Sequence, residues 1–261
     1  MKYALLAPAL ILCGLFVVWP LGELVRMSFS NGLQNYALMF SDADFGRSII
    51  NSLIYSVLSI PLVVIPLMVA VNTVSLSKRM QDVVRFVVYV PSVCCGLVIA
   101  AIWKWIFHIK GPINWLLGTD IEFLGNAVTA IPAVVIATTM GTFGLVALVF
   151  IGALLNIDPA LYDAAKIDGA SPLQIRWRIM VPAVMPWVWV FILLAAIAAP
   201  QVIEYVMALA PQHGSTMGSD IYKTAWTDGR HGYAAAKAIA LFAWMIVLVW
   251  GKTKLSKEAA A

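Results

Sequence analysis

Residues 158–182 read DPALYDAAKIDGASPLQIRWRIMVP, a polar island between two long apolar runs. Asp158-Pro159 has the form of a helix start. An Asp side chain accepts from free N–H groups of the first turn, and proline fits the first helical position. Leu161, Ala164 and Ala165 then share one face at i, i+3, i+4 spacing. Gly169 supplies a stop. Ser171-Pro172-Leu173-Gln174 restarts a helix, with Ser171 and Gln174 at capping-box spacing. This second helix runs through Trp177 and merges into the next apolar run near Pro182. The island is therefore predicted to be a short helix, a glycine turn and a second helix. A solvated loop has no need of two capped helices. The small-residue face at Ala164 and Ala165 admits close approach by a partner, and Asp163 and Asp168 flank it, placed to pair with basic groups. The competing reading is an amphipathic helix lying on lipid, for which two acids in the first helix are poorly suited.

Around the island the chain is 62% hydrophobic and 11% charged over 261 residues, whereas a soluble domain is about half apolar and about a quarter charged. Six apolar runs stand out: 3–21, 48–71, 86–103, 127–157, 180–203 and 233–250. Each must be helical, because lipid offers no partners to open backbone groups. The fold class is all-α, one membrane domain over residues 1–261 with residues 158–182 as a loop. The first run follows a single Lys2 and lacks a small-residue cleavage site, so it reads as a retained first helix. With the N-terminus inside, the inner segments carry more of the 17 Lys and Arg residues than the outer ones, which puts both termini and the island in the cytoplasm. Prolines 61, 66, 186 and 200 mark kinks within runs. Lys237, near one end of the last run, is expected to snorkel to the headgroups. Trp103, Trp105 and Trp115 fit an aromatic belt or a stacking surface for ligand. Cys13, Cys94 and Cys95 read as small buried hydrophobes, not a disulfide or zinc set.

Most chemistry is missing. No phosphate-binding G-x-x-x-x-G-K-[ST] occurs, no H-E-x-x-H, and the three histidines are scattered, so neither catalytic nor metal-binding residues are assigned. The net charge of +4 fits positive cytoplasmic loops and not nucleic-acid binding. The centres of the runs hold no charge, which disfavours an ion-coupled carrier. A solute path would then be lined by neutral groups such as Asn51, Thr138, Thr139, Gln201 and Tyr205, with Glu204 beside them at the end of the fifth run. For each of these a helix–helix hydrogen bond is the competing role.

The island resembles the cytoplasmic Glu-Ala-Ala loop of binding-protein-dependent ABC importer permeases. Asp163-Ala164-Ala165 is followed after three residues by Gly169, then at family spacing by Ile179 and Val181-Pro182. Asp replaces Glu and Val replaces Leu of the family pattern. Ile167-Asp168-Gly169-Ala170-Ser171, Asn35-Tyr36, residues 91–105, residues 111–117 and Gly232-Tyr233-Ala234-Ala235 are similar to the carbohydrate branch, in particular its maltose- or glycerol-phosphate-type first permease. Pro211-Gln212-His213-Gly214 departs from that branch's usual Gly-Gly-Pro-Gly outer loop.

The resemblance implies a type I importer permease fold in a bacterial-type inner membrane. It implies a path for a sugar or related hydroxylated solute and no enzymatic activity in this chain. Asp163, Ala164, Ala165, Asp168, Gly169 and Pro182 would couple to ATPase subunits. The chain would bind no cofactor itself; ATP and Mg would be held by two cytoplasmic ATPase subunits. A second permease, forming a heterodimer, and an extracytoplasmic substrate-binding protein would complete the machine. The alternatives are a stand-alone secondary transporter or channel, and a membrane scaffold without transport.

Overall fold

Lipid requires spanning backbone groups to be satisfied within their own segment, and the described residues meet this mainly with helices. The computed structural model describes residues 2–258, and the side chains of residues 7–126 and 128–251. Among the described residues the α-helices, in chain order, are α1 (Lys2–Cys13), α2 (Trp19–Ser28), α3 (Gln34–Ser41), α4 (Ala43–Leu62), α5 (Val64–Val74), α6 (Lys78–Val93), α7 (Gly96–Ile106) and α8 (Pro112–Leu117). There follow α9 (Ala127–Leu155), α10 (Pro159–Ile167), α11 (Pro172–Ile175), α12 (Val181–Ala198), α13 (Glu204–Leu209), α14 (Met217–Tyr222) and α15 (His231–Glu258). Among the described residues five stretches are long and apolar enough to cross a membrane: Ala7–Ser28, Ala43–Val74, Val128–Leu155, Pro172–Gln201 and His231–Gly251. The bent pair α6 and α7 makes a sixth.

That bent pair corrects the sequence reading, which treats residues 86–103 as one helix. Cys94 and Cys95 are extended, with ψ of 143° and 148°, and the two helices meet at 98°. The Cys94 N–H turns back to the Pro91 carbonyl at 3.2 Å and closes α6. The Ser92 hydroxyl oxygen, on the penultimate residue of α6, accepts the Gly144 N–H of α9 at 3.1 Å. Nor are the cysteines buried: Cys13, Cys94 and Cys95 are all exposed thiols. Of the three tryptophans, Trp105 and Trp115 are exposed, as a belt requires, but Trp103 packs on the core and stacks on Phe107 at 5.1 Å.

The chain forms two compact units, residues 51–215 and residues 1–50 with 216–261. In the first, α9 threads two apolar cores. Ala130, Ile131, Val134, Val135 and Ala137 pack with Ile99, Tyr205, Val206 and Leu209. Phe150, Ile151 and Leu154 pack with Leu67, Ala70, Val71, Val181, Val184 and Val188. Asn51 donates to the Ser215 carbonyl at 2.9 Å and Tyr55 to the Gly214 carbonyl at 3.1 Å.

In the second unit Met39, Phe45, Met217, Tyr233 and Leu241 form the core. Here Lys237 overturns the snorkelling expectation. Its side chain is 2% exposed, and its ammonium donates to Asp220 Oδ2 at 2.7 Å and Thr224 Oγ1 at 3.2 Å, with Asp42 Oδ2 at 3.0 Å. It also lies 4.4 Å from the Tyr233 ring centroid. Such a charge is tolerable only when paired and hydrogen-bonded on all sides. Asp42 meanwhile caps α4, accepting from the Asp44 and Phe45 N–H groups, and takes a 2.6 Å hydrogen bond from Tyr233. Burial opposes ionisation of Asp42, but Tyr233, Lys237 and the Phe45 N–H outweigh it and hold the carboxyl well below the usual carboxylate range. Burial pushes the Asp220 carboxyl up, and Lys237 offsets only part of that. Two carboxylates share one ammonium, and Asp42 holds the stronger set of donors.

Candidate functional site

The polar island folds as its caps dictate. The Asp158 carboxylate accepts from the Ala160 N–H at 2.9 Å, with Pro159 at the first helical position of α10. At the other end Gly169 takes φ +76°, a conformation costly for any side-chain-bearing residue. The Ala170 N–H bonds the Ala165 carbonyl at 2.9 Å and the Gly169 N–H the Lys166 carbonyl at 3.0 Å, the paired closure of a Schellman motif. The capping box of α11 is complete: the Ser171 N–H donates to Gln174 Oε1 at 2.7 Å, and the Gln174 N–H to Ser171 Oγ at 3.3 Å. From there the chain runs without interruption into the fifth span. Pro182 cannot donate to the ladder, and residues Arg176–Met180 just before it widen into a π-turn, with the Val181 N–H reaching back to the Arg176 carbonyl.

The arm is anchored on one side and bare on the other. Tyr162, Ile157 and Ile175 pack against the α5–α9–α12 core. Burial pushes the Tyr162 phenol up, and its hydroxyl has no partner among the described residues. Away from that contact, Leu161, Ile167 and Leu173 are 54%, 86% and 62% exposed. Ala164 is exposed and Ala165 half-buried. Asp163 pairs with Lys166 at 3.0 Å on the surface, an ion pair of little energetic weight. Asp168 is the C-cap residue of α10 and, with Gly169 and Ala165, lines a shallow cavity beside the turn.

The proposed path residues fall into three groups. Thr138, Gln201, Glu204 and Tyr205 line one cavity of about 620 Å³, together with Cys94, Gly96, Gly141 and Thr142. That size lies within the roughly 300–1,000 Å³ of small-molecule sites. Thr139 lines a neighbouring apolar cavity of about 240 Å³, which shares Thr138, Thr142, Ala198 and Val202 with the first. Asn51 lines neither; its amide is committed to the Ser215 carbonyl. The first cavity exists because α6 and α7 part at Cys94–Cys95 and the fifth span ends at Gln201. A Cβ on Gly96 would overlap the Glu204 carboxylate, and one on Gly141 the Tyr205 hydroxyl, so both polar groups rest against bare backbone. Burial first, then the neighbouring Glu204, push the Tyr205 phenol up and keep it a donor. The sequence offers no rule that finds Cys94 or the two glycines; only the helix break brings them here. No group of His, Cys, Asp or Glu residues suited to a metal ion occurs among the described residues.

Apolar spans, a capped arm rooted in their core and a polar cavity at a broken span define the class: a solute permease of the membrane. The chain belongs to the family of binding-protein-dependent transport system inner membrane components, whose pattern matches residues 62–258. It is 30% identical over 260 residues to the probable ABC transporter permease protein YurN of Bacillus subtilis, covering 90% of this chain and 89% of that one. It is 27% identical over 267 residues to the diacetylchitobiose uptake system permease protein NgcF of Streptomyces coelicolor, covering 89% and 75%. In fold it is similar to a chain of a bacterial alginate ABC transporter crystallised with a pentasaccharide-bound periplasmic protein, with TM-score 0.86, 24% identity and coverage of 99% and 94%. The type I importer permease fold and the inner-membrane class that the family resemblance implies are thus correct.

Proposed function

We propose that this permease imports a saccharide or related hydroxylated solute, driven by ATP hydrolysis in separate cytoplasmic subunits. The observation that carries the drive is the arm at 158–182. It presents Leu161, Ile167 and Leu173 bare to solvent while Tyr162 ties it to α5, α9 and α12. Apolar surface on a capped, rigid arm suits insertion into a protein groove, and its root in the span core makes it a lever. Asp163, Ala164, Ala165, Asp168, Gly169 and Pro182 supply its contact face, its turn and its junction with the span. ATP and Mg belong to the two ATPase subunits, and the N- and C-termini lie on the same cytoplasmic side as the arm.

Uptake of diacetylchitobiose by the system of one relative and the saccharide-bound protein of the alginate transporter support a carbohydrate cargo. A second, related permease completes the path as a heterodimer, and a binding protein delivers solute from outside. Thr138, Thr139, Gln201, Glu204 and Tyr205 are the lining contributed by this chain. Ile167→Ser tests the drive, because a residue 86% exposed contributes little to folding. The variant is expected to insert normally and lose its co-purifying ATPase. An ATPase retained at the parent level, with undiminished solute uptake, contradicts the role of the arm.

A further inference from the structure

The cavity at the broken span has a one-sided polar inventory. The single hydroxyl hydrogen of Thr138 is spent on the Val134 carbonyl at 2.8 Å, leaving only oxygen lone pairs. Thr142 likewise donates to the Thr139 carbonyl at 3.2 Å. Gln201 uses one amide N–H on the Ile197 carbonyl at 2.8 Å, which leaves its carbonyl oxygen and one N–H. Glu204 is exposed, and no Lys or Arg lines the cavity with it. Its carboxylate rests against Gly96, the first residue of α7, where unpaired N–H groups and the helix dipole favour an anion. The lining is thus rich in acceptors and carries the Glu204 charge, with the remaining Gln201 N–H and the Tyr205 hydroxyl as its side-chain donors. Saccharide hydroxyls and amines offer donors to such a surface. Carboxylate, sulfate and phosphate groups offer only acceptors and a repelled charge.

We infer that Glu204 makes this path selective for neutral or amine-bearing saccharides and discriminates against anionic ones. The inference rests on the reading of the cavity as part of the solute path. Neutral acylated amino sugars and plain oligosaccharides fit it; uronates, sulfonates and sugar phosphates do not.

Cys94 provides a native probe, since its exposed thiol lines the same cavity. Methanethiosulfonates convert a thiol to a mixed disulfide with release of methanesulfinate. The experiment uses the full transporter in membranes, with Cys13→Ala and Cys95→Ala leaving Cys94 as the only thiol of this chain. Modification rates are measured for the cationic trimethylammonium-ethyl reagent and the anionic sulfonato-ethyl reagent, each normalised to its rate with a free small thiol. A carboxylate within roughly 10 Å, at a dielectric between protein surface and water, changes each rate by about fivefold. The cation-to-anion ratio is therefore expected at about twenty-five-fold in the parent, near one in Glu204→Gln, and inverted in Glu204→Lys. A ratio that these substitutions leave unchanged overturns the charge filter. A Glu204-dependent ratio with saccharide uptake untouched by Cys94 modification overturns the reading of the cavity as the path, and the selectivity with it.

Discussion

Gly169 is where a small change isolates the arm from the rest of the molecule. Its φ of +76° lies in the left-handed region, and a Cβ built there meets nothing within 4 Å. A substitution therefore causes no clash, and its whole cost is conformational and local. That cost is about 1–2 kcal/mol for an ordinary L-residue and higher for a β-branched one, while Asn tolerates the region best. A penalty of this size lowers the population of the native turn by roughly five- to thirtyfold. It loosens the Ala170–Ala165 and Gly169–Lys166 bonds that fix α10 relative to α11. The assay is solute imported per ATP hydrolysed by the purified complex, with the yield of inserted protein as control. Coupling should fall in the order Gly169, Asn, Ala, Val, at constant yield. Gly169→Val that transports with the parent stoichiometry refutes the reasoning.

Lys237→Met leaves Asp42 and Asp220 facing each other without their cation. It should cost about 3 kcal/mol, the lower end of the range for a broken buried pair, because the Asp42 side chain is 24% exposed. A lowered thermal midpoint in detergent, partly restored by adding Asp220→Asn, is the expected result. The same site sets a pH dependence. Asp42, held low, contributes stability that is complete above its unfolded value of 3.8 and is lost as pH falls below it. Asp220, pushed up, contributes stability that is complete below that value and is lost as pH rises through its raised folded value. The midpoint should therefore rise as pH falls from neutral toward about 4, lose that rise in Asp220→Asn, and decline only at lower pH. Gly141→Ala places a methyl on the Tyr205 hydroxyl; it should reduce uptake without releasing the ATPase, and Tyr205→Phe in the same chain should recover part of the loss.

What was legible in the sequence was local. Asp158-Pro159, Gly169 and the Ser171–Gln174 box each act within a few residues, and each forms as its chemistry demands. The spans were legible for the same reason, since twenty apolar residues need no partner to declare a membrane helix. What failed depended on distant residues. Lys237 looks like a snorkelling residue until Asp42, far away in sequence, and Asp220, across a turn in the preceding short helix α14, close around it. That the Asn51 amide goes to the Ser215 carbonyl was likewise not legible, since its partner lies far along the chain. The break at Cys94–Cys95 has no turn signature of its own; Pro91 behind it, Gly96 ahead of it and Gly144 across on α9 produce it together. Because the cavity forms at that break, Thr138, Gln201, Glu204 and Tyr205 were recognisable as polar groups within or beside the spans, but the way they converge on one cavity was not.

The most direct test of where force enters the molecule is a photo-crosslinker placed at Ile167, the most exposed apolar position on the arm, in cells carrying the whole transporter. A lever for an ATPase predicts an adduct with the nucleotide-hydrolysing subunit, strengthened or weakened by trapping ATP. Adducts with lipid alone, in a transporter that still imports its solute, would mean that residues 158–182 lie on the membrane and that transport is driven from elsewhere.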